Sequence, residues 1–341
     1  MQDGYTNEHP DSSKRANDLS GHVVFIDIAK GIGIVIVVMS HVYPPLVKWA
    51  TPFFIPLFFI LSGYCTHHIV NLKKKFIKLL VPYVLFTTVL LLVYNNFSVV
   101  DLIGAIYSRW CLYPLGSENN IFFLKSGNGP LWFLTSLFVS FCLYKIVQKS
   151  RKPILILSCY FIITFILSFC PILLPWSIDT SFLMAIFIFV GTVIWQKSLI
   201  YQSNYLLDIV LLCVYIVLWM FCHDVNFSVR MYGNLLILIP CSIIGSFLLM
   251  KGSYYVRHFG AGRLFMEIGR NSLPIFCLHF PFIALWRKMT DLMNITVPTI
   301  LDAILCVIFI LAITYPISGF FISYIYSPVI SFCGIDSKRH L

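Results

Sequence analysis

The sequence predicts an all-α integral membrane protein, and three observations support this fold class. Residues of the set Ala, Val, Ile, Leu, Met, Phe, Trp, Tyr and Cys make up 59% of the 341-residue chain, whereas charged residues make up 11%. Soluble domains are about half apolar and about a quarter charged. Apolar segments of bilayer-crossing length recur along the chain, and their continuous runs argue against the alternating strands of a membrane barrel. Because backbone amides in lipid must pair within their own segment, these segments are expected to be helices.

We predict about ten transmembrane helices, with both termini in the cytoplasm. When the N-terminus is placed inside, most of the 24 Lys and Arg residues fall on the cytoplasmic side, which is the bias typical of membrane proteins. Residues 1–21 are expected to be a disordered cytoplasmic tail, residues 22–330 the transmembrane domain, and residues 331–341 a short cytoplasmic tail. The apolar segments lie at 23–43, 53–70, 79–97, 130–148, 154–174, 181–196, 205–222, 232–250, 271–286 and 299–326.

The net charge and the cysteines exclude several classes of function. The net charge is +10, which in a membrane protein is typical of basic loop residues at the cytoplasmic face. We therefore expect no nucleic-acid partner. The 11 cysteines include no Cys-x-x-Cys pair, and most lie inside apolar runs, where cysteine behaves as a small hydrophobic residue. We expect neither a disulfide framework nor a metal site.

The first apolar segment carries three ionisable residues, Asp27, Lys30 and His41. At about 100° per residue all three share one stripe of a helix, and Lys30 and His41 are separated by about 16 Å along its axis. They therefore address different parts of one elongated site, or different sites. Ionisable groups within a span are costly and usually face a cavity or a partner. The alternatives are a simple ion pair between Asp27 and Lys30 near the inner interface and an interfacial role for His41.

Other segments, taken in order along the chain, add to this pattern. They read PFFIPLFFILSGYC at 52–65, KKKFIKLLVPY at 73–83, GPLWFL at 129–134 and NSLPIFCLHFP at 271–281. Together with a lysine followed eleven positions later by a histidine, they resemble the membrane acyltransferase-3 family. The resemblance covers the first third closely and the last quarter moderately. The resemblance is greatest to the short members of the family. These add O-linked acetyl groups to polysaccharides and have no SGNH-type domain.

The resemblance implies that His41 is the catalytic histidine. Acetyl transfer to a sugar hydroxyl needs a base for the hydroxyl proton, and the role of base or of acetyl carrier is left open. Lys30, with Asp27, would organise the inner end of the same channel. His279, in the middle of a later segment, is the second catalytic candidate, although a hydrogen-bonded packing histidine is the alternative reading of its position.

Further residues are candidates for binding the donor and the acceptor. Acetyl-CoA is expected as the acyl donor and co-substrate, and the cytoplasmic cluster of Lys74, Lys75 and Lys78 would meet its phosphates. Family members carry arginines in this pattern, and lysine binds phosphate only as a point charge. The alternative is that the cluster only anchors the topology. The candidates for substrate binding are Tyr64, Trp132, Asn271 and Ser272, for which the alternatives are helix packing for Tyr64 and an interfacial aromatic belt for Trp132.

The sequence thus predicts a membrane-bound O-acetyltransferase that moves an acetyl group from acetyl-CoA to a sugar hydroxyl. The expected acceptor is a surface polysaccharide or its lipid-linked precursor, and the expected location is the bacterial inner membrane, in contact with its lipids. The oligomeric state is left open. A transporter or flippase for lipid-linked sugars would share the helices and the intramembrane charges, and a glycan polymerase would share the long outer loop at 98–129. Both remain alternatives.

Overall fold

Each of the apolar segments identified in the sequence contains a helix. A computed structural model of the chain describes residues 12–94, 98–114, 120–123, 129–293 and 299–332, and within them the regular structure is helical. The helices are α1 (Ser12–Val42), α2 (Pro44–Val47), α3 (Phe54–Tyr64), α4 (Leu72–Tyr94), α5 (Val99–Tyr107), α6 (Trp132–Lys149), α7 (Pro153–Ser168), α8 (Ile178–Gln196), α9 (Tyr205–Met220), α10 (Leu235–Val256), α11 (Gly260–Arg270), α12 (Ser272–Leu292), α13 (Thr299–Phe320) and α14 (Ser327–Phe332), with a π-helical turn at Phe321–Tyr326 between the last two.

Five helical segments of the described chain are long and apolar enough to cross a membrane, and two bent pairs raise that number to seven. The helices α7 and α9 are apolar but shorter. The protein is therefore an all-helical, multi-pass membrane protein, while the count of ten spans and the cytoplasmic location of both termini stay predictions. The five segments are Val24–Val42, Leu72–Tyr94, Pro175–Gln196, Leu235–Val256 and Thr299–Tyr326, and the pairs are Pro44–Ala50 with Phe54–Tyr64 and Gly260–Arg270 with Ser272–Leu292.

The first helix begins earlier than the apolar segment that predicts it. Helix α1 starts at Ser12 and so takes in the second half of the expected tail at 1–21. Residues 1–11 and 333–341 lie outside the described residues. The boundaries proposed for the tails and the transmembrane domain therefore remain predictions.

Helix α1 lies at the centre of the bundle, in contact with α3, α10, α11, α12 and α13. Its closest neighbour is α11, because glycines meet at the crossing. A Cβ atom at Gly31 would overlap the carbonyl oxygen of Phe265, and one at Gly269 would overlap the carbonyl oxygen of Asp27. Small residues of this kind let two helix backbones touch in a membrane. The crossing brings the end of α11 beside the charged residues of α1.

A second glycine pair joins α3 and α8. A Cβ atom at Gly63 would overlap the carbonyl oxygen of Ile188, and one at Gly191 would overlap that of Ile60. Small residues allow this close approach of two helices in a membrane. It fixes α3 against the core of the bundle.

The outer helices expose apolar side chains. Only Tyr215 is buried along α9, and its other faces carry exposed Leu, Ile and Val residues. Apolar faces of this extent belong in lipid. The ten cysteines among the described residues are free thiols.

Candidate active site

Two cavities lie at different ends of the polar stripe of α1. The first, which we call the lysine cavity, has a volume of about 450 Å³ and is lined by Lys30, Lys75 and Lys78. The second, the histidine cavity, has a volume of about 780 Å³ and is lined by His41 and Trp132. Both fall in the range of small-molecule sites, about 300–1,000 Å³. One helix therefore presents ionisable groups to two separate chambers.

Asp27 is the acidic centre of the lysine cavity. Its side chain is 4% exposed, and its Oδ1 lies 3.4 Å from the Nζ atom of Lys30. This is the ion pair that the spacing of three residues predicts. Its Oδ2 lies 3.5 Å from the Nε atom of Arg270, which also pairs with Glu267 at 2.9 Å. Arg270 is a partner that the sequence analysis missed, because only the glycine crossing of α1 and α11 brings it within reach.

The lysine cavity carries an excess of positive charge. Lys75 and Lys78 project from the first turns of α4, and the Nζ atom of Lys75 lies 3.7 Å from the centre of the Phe141 ring. Lys74 is exposed and is not among the residues that line the cavity. Among the described residues of the lining, three lysines thus face one carboxylate, that of Asp27. Such a surface attracts anions, and phosphate groups in particular.

The histidine cavity is organised around a pair of histidines. His41 is exposed on the cavity wall, and its ring centre lies 5.2 Å from that of His279 and 4.7 Å from that of Phe280. His279 has no exposed surface and lies behind His41, outside the lining of the cavity. Its Nδ1 atom donates a hydrogen bond to the carbonyl oxygen of Phe276 at 2.7 Å. In the neutral ring this leaves Nε2 as an acceptor, and among the described residues Nε2 has no hydrogen-bond partner.

Aromatic and polar side chains form the remaining wall of the histidine cavity. Trp132 is 5% exposed and lines the cavity together with Trp110. The indole nitrogen of Trp110 donates to the hydroxyl oxygen of Ser228 at 3.4 Å. Arg287 lies on the same wall, two turns of α12 beyond Phe280. The cavity thus combines flat aromatic faces with hydrogen-bonding groups and one arginine.

A buried cluster of charges supports this wall from behind. Asp179 accepts a hydrogen bond from Arg109 and lies 3.1 Å from the Nη1 atom of Arg230, and all three side chains are at most 1% exposed. Arg109 also donates to the carbonyl oxygen of Ser228 at 2.5 Å. The cluster joins the segment after α5, the start of α8 and the loop before α10. Arg109 lies in the predicted outer loop at 98–129, and no local pattern in the sequence predicts that it shares one carboxylate with Arg230.

Of the four residues predicted for substrate binding, two line a cavity and two do not. Ser272 lines the lysine cavity and Trp132 the histidine cavity. Tyr64 is fully buried and packs edge-on against Phe25 at 5.6 Å, and it is not among the residues that line either cavity. Asn271 donates through Nδ2 to the backbone oxygen of Glu267 at 2.8 Å, where α11 and α12 meet at 79°. Tyr64 and Asn271 therefore support the walls of the site and do not face the cavities.

A thiol lies near the histidine cavity but is unsuited to carry an acyl group. Cys111 follows Trp110 and is fully buried, with its sulfur 3.2 Å from the carbonyl oxygen of Tyr113. Burial raises the pKa of the Cys111 thiol to about 11. Because the thiolate is the nucleophile, a thiol that stays protonated at neutral pH reacts slowly. Among the described residues that line this cavity, His41 is the one imidazole.

Comparison with known proteins assigns the chain to a family. A model of the acyltransferase-3 family, described as an acyltransferase domain, matches residues 23–319. Neither the curated proteins nor the solved structures gave a significant match. The matched range begins just before the polar stripe of α1 and ends within α13, so it takes in the histidines and the charged residues that line both cavities. The chain belongs to the acyltransferase-3 family and is a multi-pass membrane acyltransferase.

Proposed function

We propose that the protein is an O-acetyltransferase that moves an acetyl group from acetyl-CoA to a sugar hydroxyl of a surface polysaccharide or its lipid-linked precursor. The observation that carries the proposal is the division of α1 between two cavities. Lys30 faces the lysine cavity and His41 the histidine cavity. The two residues are eleven positions apart, which is about 16 Å along the helix axis. This arrangement suits an anionic donor on one side and a sugar on the other.

The lysine cavity is the proposed donor site. Lys75 and Lys78 offer the positive charge that the phosphates of CoA require, and Lys30 adds to it beside Asp27. Lys74 then acts only at the exposed surface. In a bacterial inner membrane crossed by about ten helices with both termini inside, the lysine cavity faces the cytoplasm, where acetyl-CoA is made.

The histidine cavity is the proposed acceptor site. Flat faces such as those of Trp110 and Trp132 stack on the C–H faces of sugar rings, and neighbouring polar groups bind hydroxyls. At about 780 Å³ the cavity has room for more than one sugar unit. The acceptor hydroxyl would lie within about 3 Å of the ring of His41, the reach that proton transfer requires.

The reaction we propose is a direct acyl transfer. The hydroxyl oxygen of the sugar attacks the thioester carbonyl carbon while His41 takes the hydroxyl proton. The tetrahedral intermediate then breaks its C–S bond, and the leaving CoA sulfur takes the proton back from His41. In the variant in which His41 carries the acetyl group, a ring nitrogen attacks the thioester carbon and expels CoA as the thiolate. The sugar oxygen then attacks the acetyl group and displaces the imidazole, and the hydroxyl proton passes to the CoA thiolate. An acetyl-histidine trapped without acceptor would identify the second route.

His279 is proposed as a positioning residue. Its ring is fixed by the bond from Nδ1 to the Phe276 carbonyl and lies against His41. The hydrogen-bond acceptor at Nε2 of His279 would stabilise the positive charge that His41 carries when it is protonated during turnover. Replacing His279 with Gln, whose amide is polar but cannot take the proton, should lower kcat more than it raises KM and should shift the pH profile of kcat.

The proposal is tested by replacing His41 with Ala in cells that lack the native copy. Surface glycan is then analysed for ester-linked acetyl groups by mass spectrometry, with protein levels measured in parallel. We expect acetylation to be lost, while His223→Ala, at an exposed histidine outside both cavities, keeps it. Unchanged acetylation at normal protein level would refute the role of His41. Transport of a lipid-linked sugar without consumption of acetyl-CoA would instead favour a flippase.

A further inference from the structure

One side chain belongs to both cavities. Phe276, which is 6% exposed, is the single described residue that the linings of the lysine cavity and the histidine cavity have in common. On α1, Ile34 lines the lysine cavity and Val37 the histidine cavity. These two positions are about 4.5 Å apart along the helix axis. The cavities therefore end within one helical turn of each other, and the barrier between them is about as thick as one ring.

The backbone of Phe276 is held more firmly than its ring. Its carbonyl oxygen accepts the hydrogen bond from His279, and the residue lies in the first two turns of α12. The ring centre lies 5.0 Å from that of Phe133, at a tilt of 53°, and 6.0 Å from that of His279. These are the distances of aromatic packing and not of directed bonding. A phenylalanine ring in such a place can turn about its two side-chain torsions while the helix stays still.

We infer that Phe276 is an aromatic gate, past which the acyl thioester must move to reach His41, and that its ring limits the size of the acyl group. The inference rests on the proposed function, which puts the phosphates of the donor at the lysines and the base in the other cavity. Acyl transfer needs the reacting atoms about 3–3.5 Å apart. The thioester end of the donor must therefore cross the barrier between the cavities, and Phe276 is the side chain that stands there.

The gate gives a physical basis for selecting a short acyl group. A two-carbon acyl group passes with a small turn of the ring, whereas a longer chain needs the ring to move away from Phe133. A hydrophobic site that is too small by one methylene discriminates by about 1–3 kcal/mol, or about 10–200-fold in kcat/KM. Removing the ring should relax this discrimination. Removing a ring that lines only one cavity should not, because the barrier would stay in place.

The first experiment measures acyl preference. Membranes carrying each variant are incubated with acetyl-CoA, propionyl-CoA, butyryl-CoA or hexanoyl-CoA, and the esters formed on the endogenous glycan are quantified by mass spectrometry. For Phe276→Ala we expect the ratio of butyryl to acetyl transfer to rise at least tenfold, with a smaller rise for the milder Phe276→Leu. The matched controls are Phe58→Ala, in the lysine cavity only, and Phe54→Ala, in the histidine cavity only. An unchanged ratio in both Phe276 variants would overturn the inference.

The second experiment tests the barrier without acyl transfer. Cys65 is exposed and lines the lysine cavity. Its labelling therefore reports whether a reagent that enters through the histidine cavity can pass Phe276. Intact cells are treated with a membrane-impermeant methanethiosulfonate, and labelling of the Cys65 peptide is followed by mass spectrometry. We expect Phe276→Ala, or Phe276→Leu if the first variant does not accumulate, to label at least tenfold faster than the wild type. An equal labelling rate would refute the gate. If no acyl-CoA supports transfer in the wild type, the proposed function fails, and the labelling result still decides whether Phe276 closes the barrier.

Discussion

Replacing Asp179 with Asn should destabilise the protein more than removing either of the arginines beside it. The carboxylate of Asp179 meets Arg109 and Arg230, and it also accepts hydrogen bonds from the backbone nitrogens of Leu174 at 3.1 Å and Thr180 at 2.9 Å. An asparagine would turn an NH₂ group towards donors and leave two guanidinium groups without a counter-charge. None of the three charged side chains can reach solvent, since each is at most 1% exposed.

The magnitude follows from the charges that remain. Breaking a buried ion pair by removing one partner costs about 3–5 kcal/mol, because a buried charge is left uncompensated. Asp179→Asn leaves two such charges and belongs at the upper end of that range. Arg230→Met, by contrast, leaves the neutral pair of Arg109 and Asp179, and it loses mainly the hydrogen bond from Arg230 to the Cys170 carbonyl. A lost hydrogen bond to a charged group costs about 1.5–3 kcal/mol.

The assay compares the purified variants in detergent by their apparent Tm and by acyl transfer well below that temperature. We expect the apparent Tm of Asp179→Asn to be several degrees below that of the wild type, and the apparent Tm of Arg230→Met to fall between the two. Because Arg109 holds the Ser228 carbonyl at the wall of the histidine cavity, Asp179→Asn should also raise the KM for the acceptor. If Arg230→Met were less stable than Asp179→Asn, the count of buried charges would be the wrong basis for the prediction.

Two further changes separate binding from packing. Lys75→Met should raise the KM for acetyl-CoA about 10–100-fold, which is the effect of losing a charged hydrogen bond. Lys74→Met, at an exposed position, should change this KM by no more than about threefold. Equal effects of the two substitutions in a steady-state titration would contradict the donor site. Gly269→Ala should lower the apparent Tm, since its Cβ atom would overlap backbone of α1 and overpacking costs about 1–3 kcal/mol. In Gly252→Ala the new Cβ atom meets nothing within 4 Å, so the apparent Tm should stay the same or rise. If Gly252→Ala lowered the apparent Tm as much as Gly269→Ala, the helix crossing would not be the cause of the lower Tm.

Local patterns in the sequence were sufficient for the polar face of α1. The spacing of Asp27, Lys30 and His41 predicts a shared stripe, and the observed pair of Asp27 and Lys30 at 3.4 Å agrees with it. Hydropathy likewise predicts where the long helices lie. These features depend on residues within a few turns of each other, which is the range over which helix geometry determines contacts.

Contacts between distant segments could not be predicted in this way. Arg270 reaches Asp27 only because Gly31 and Gly269 let two helices touch, and nothing in either segment identifies the other as its partner. Helix α11 is not among the apolar segments of the sequence, because it is short and carries charged residues. The position of Phe276 between two cavities is likewise a property of several helices together, and in sequence it is one phenylalanine among 31.

The thinness of the barrier at Phe276 also determines where an electrical potential across the membrane falls. Cavities of about 450 and 780 Å³ have room for several waters, since each takes about 30 Å³ of liquid. In the proposed topology, where each cavity is filled with water and opens to one side of the membrane, little of the voltage falls across the cavities, so most of the drop is focused across one ring and not spread over about 30 Å of hydrocarbon. A unit charge that passes Phe276 exchanges about 2.3 kcal/mol per 100 mV in that step. An uncharged acyl group does no such electrical work, so its passage does not depend on whether the membrane is energised.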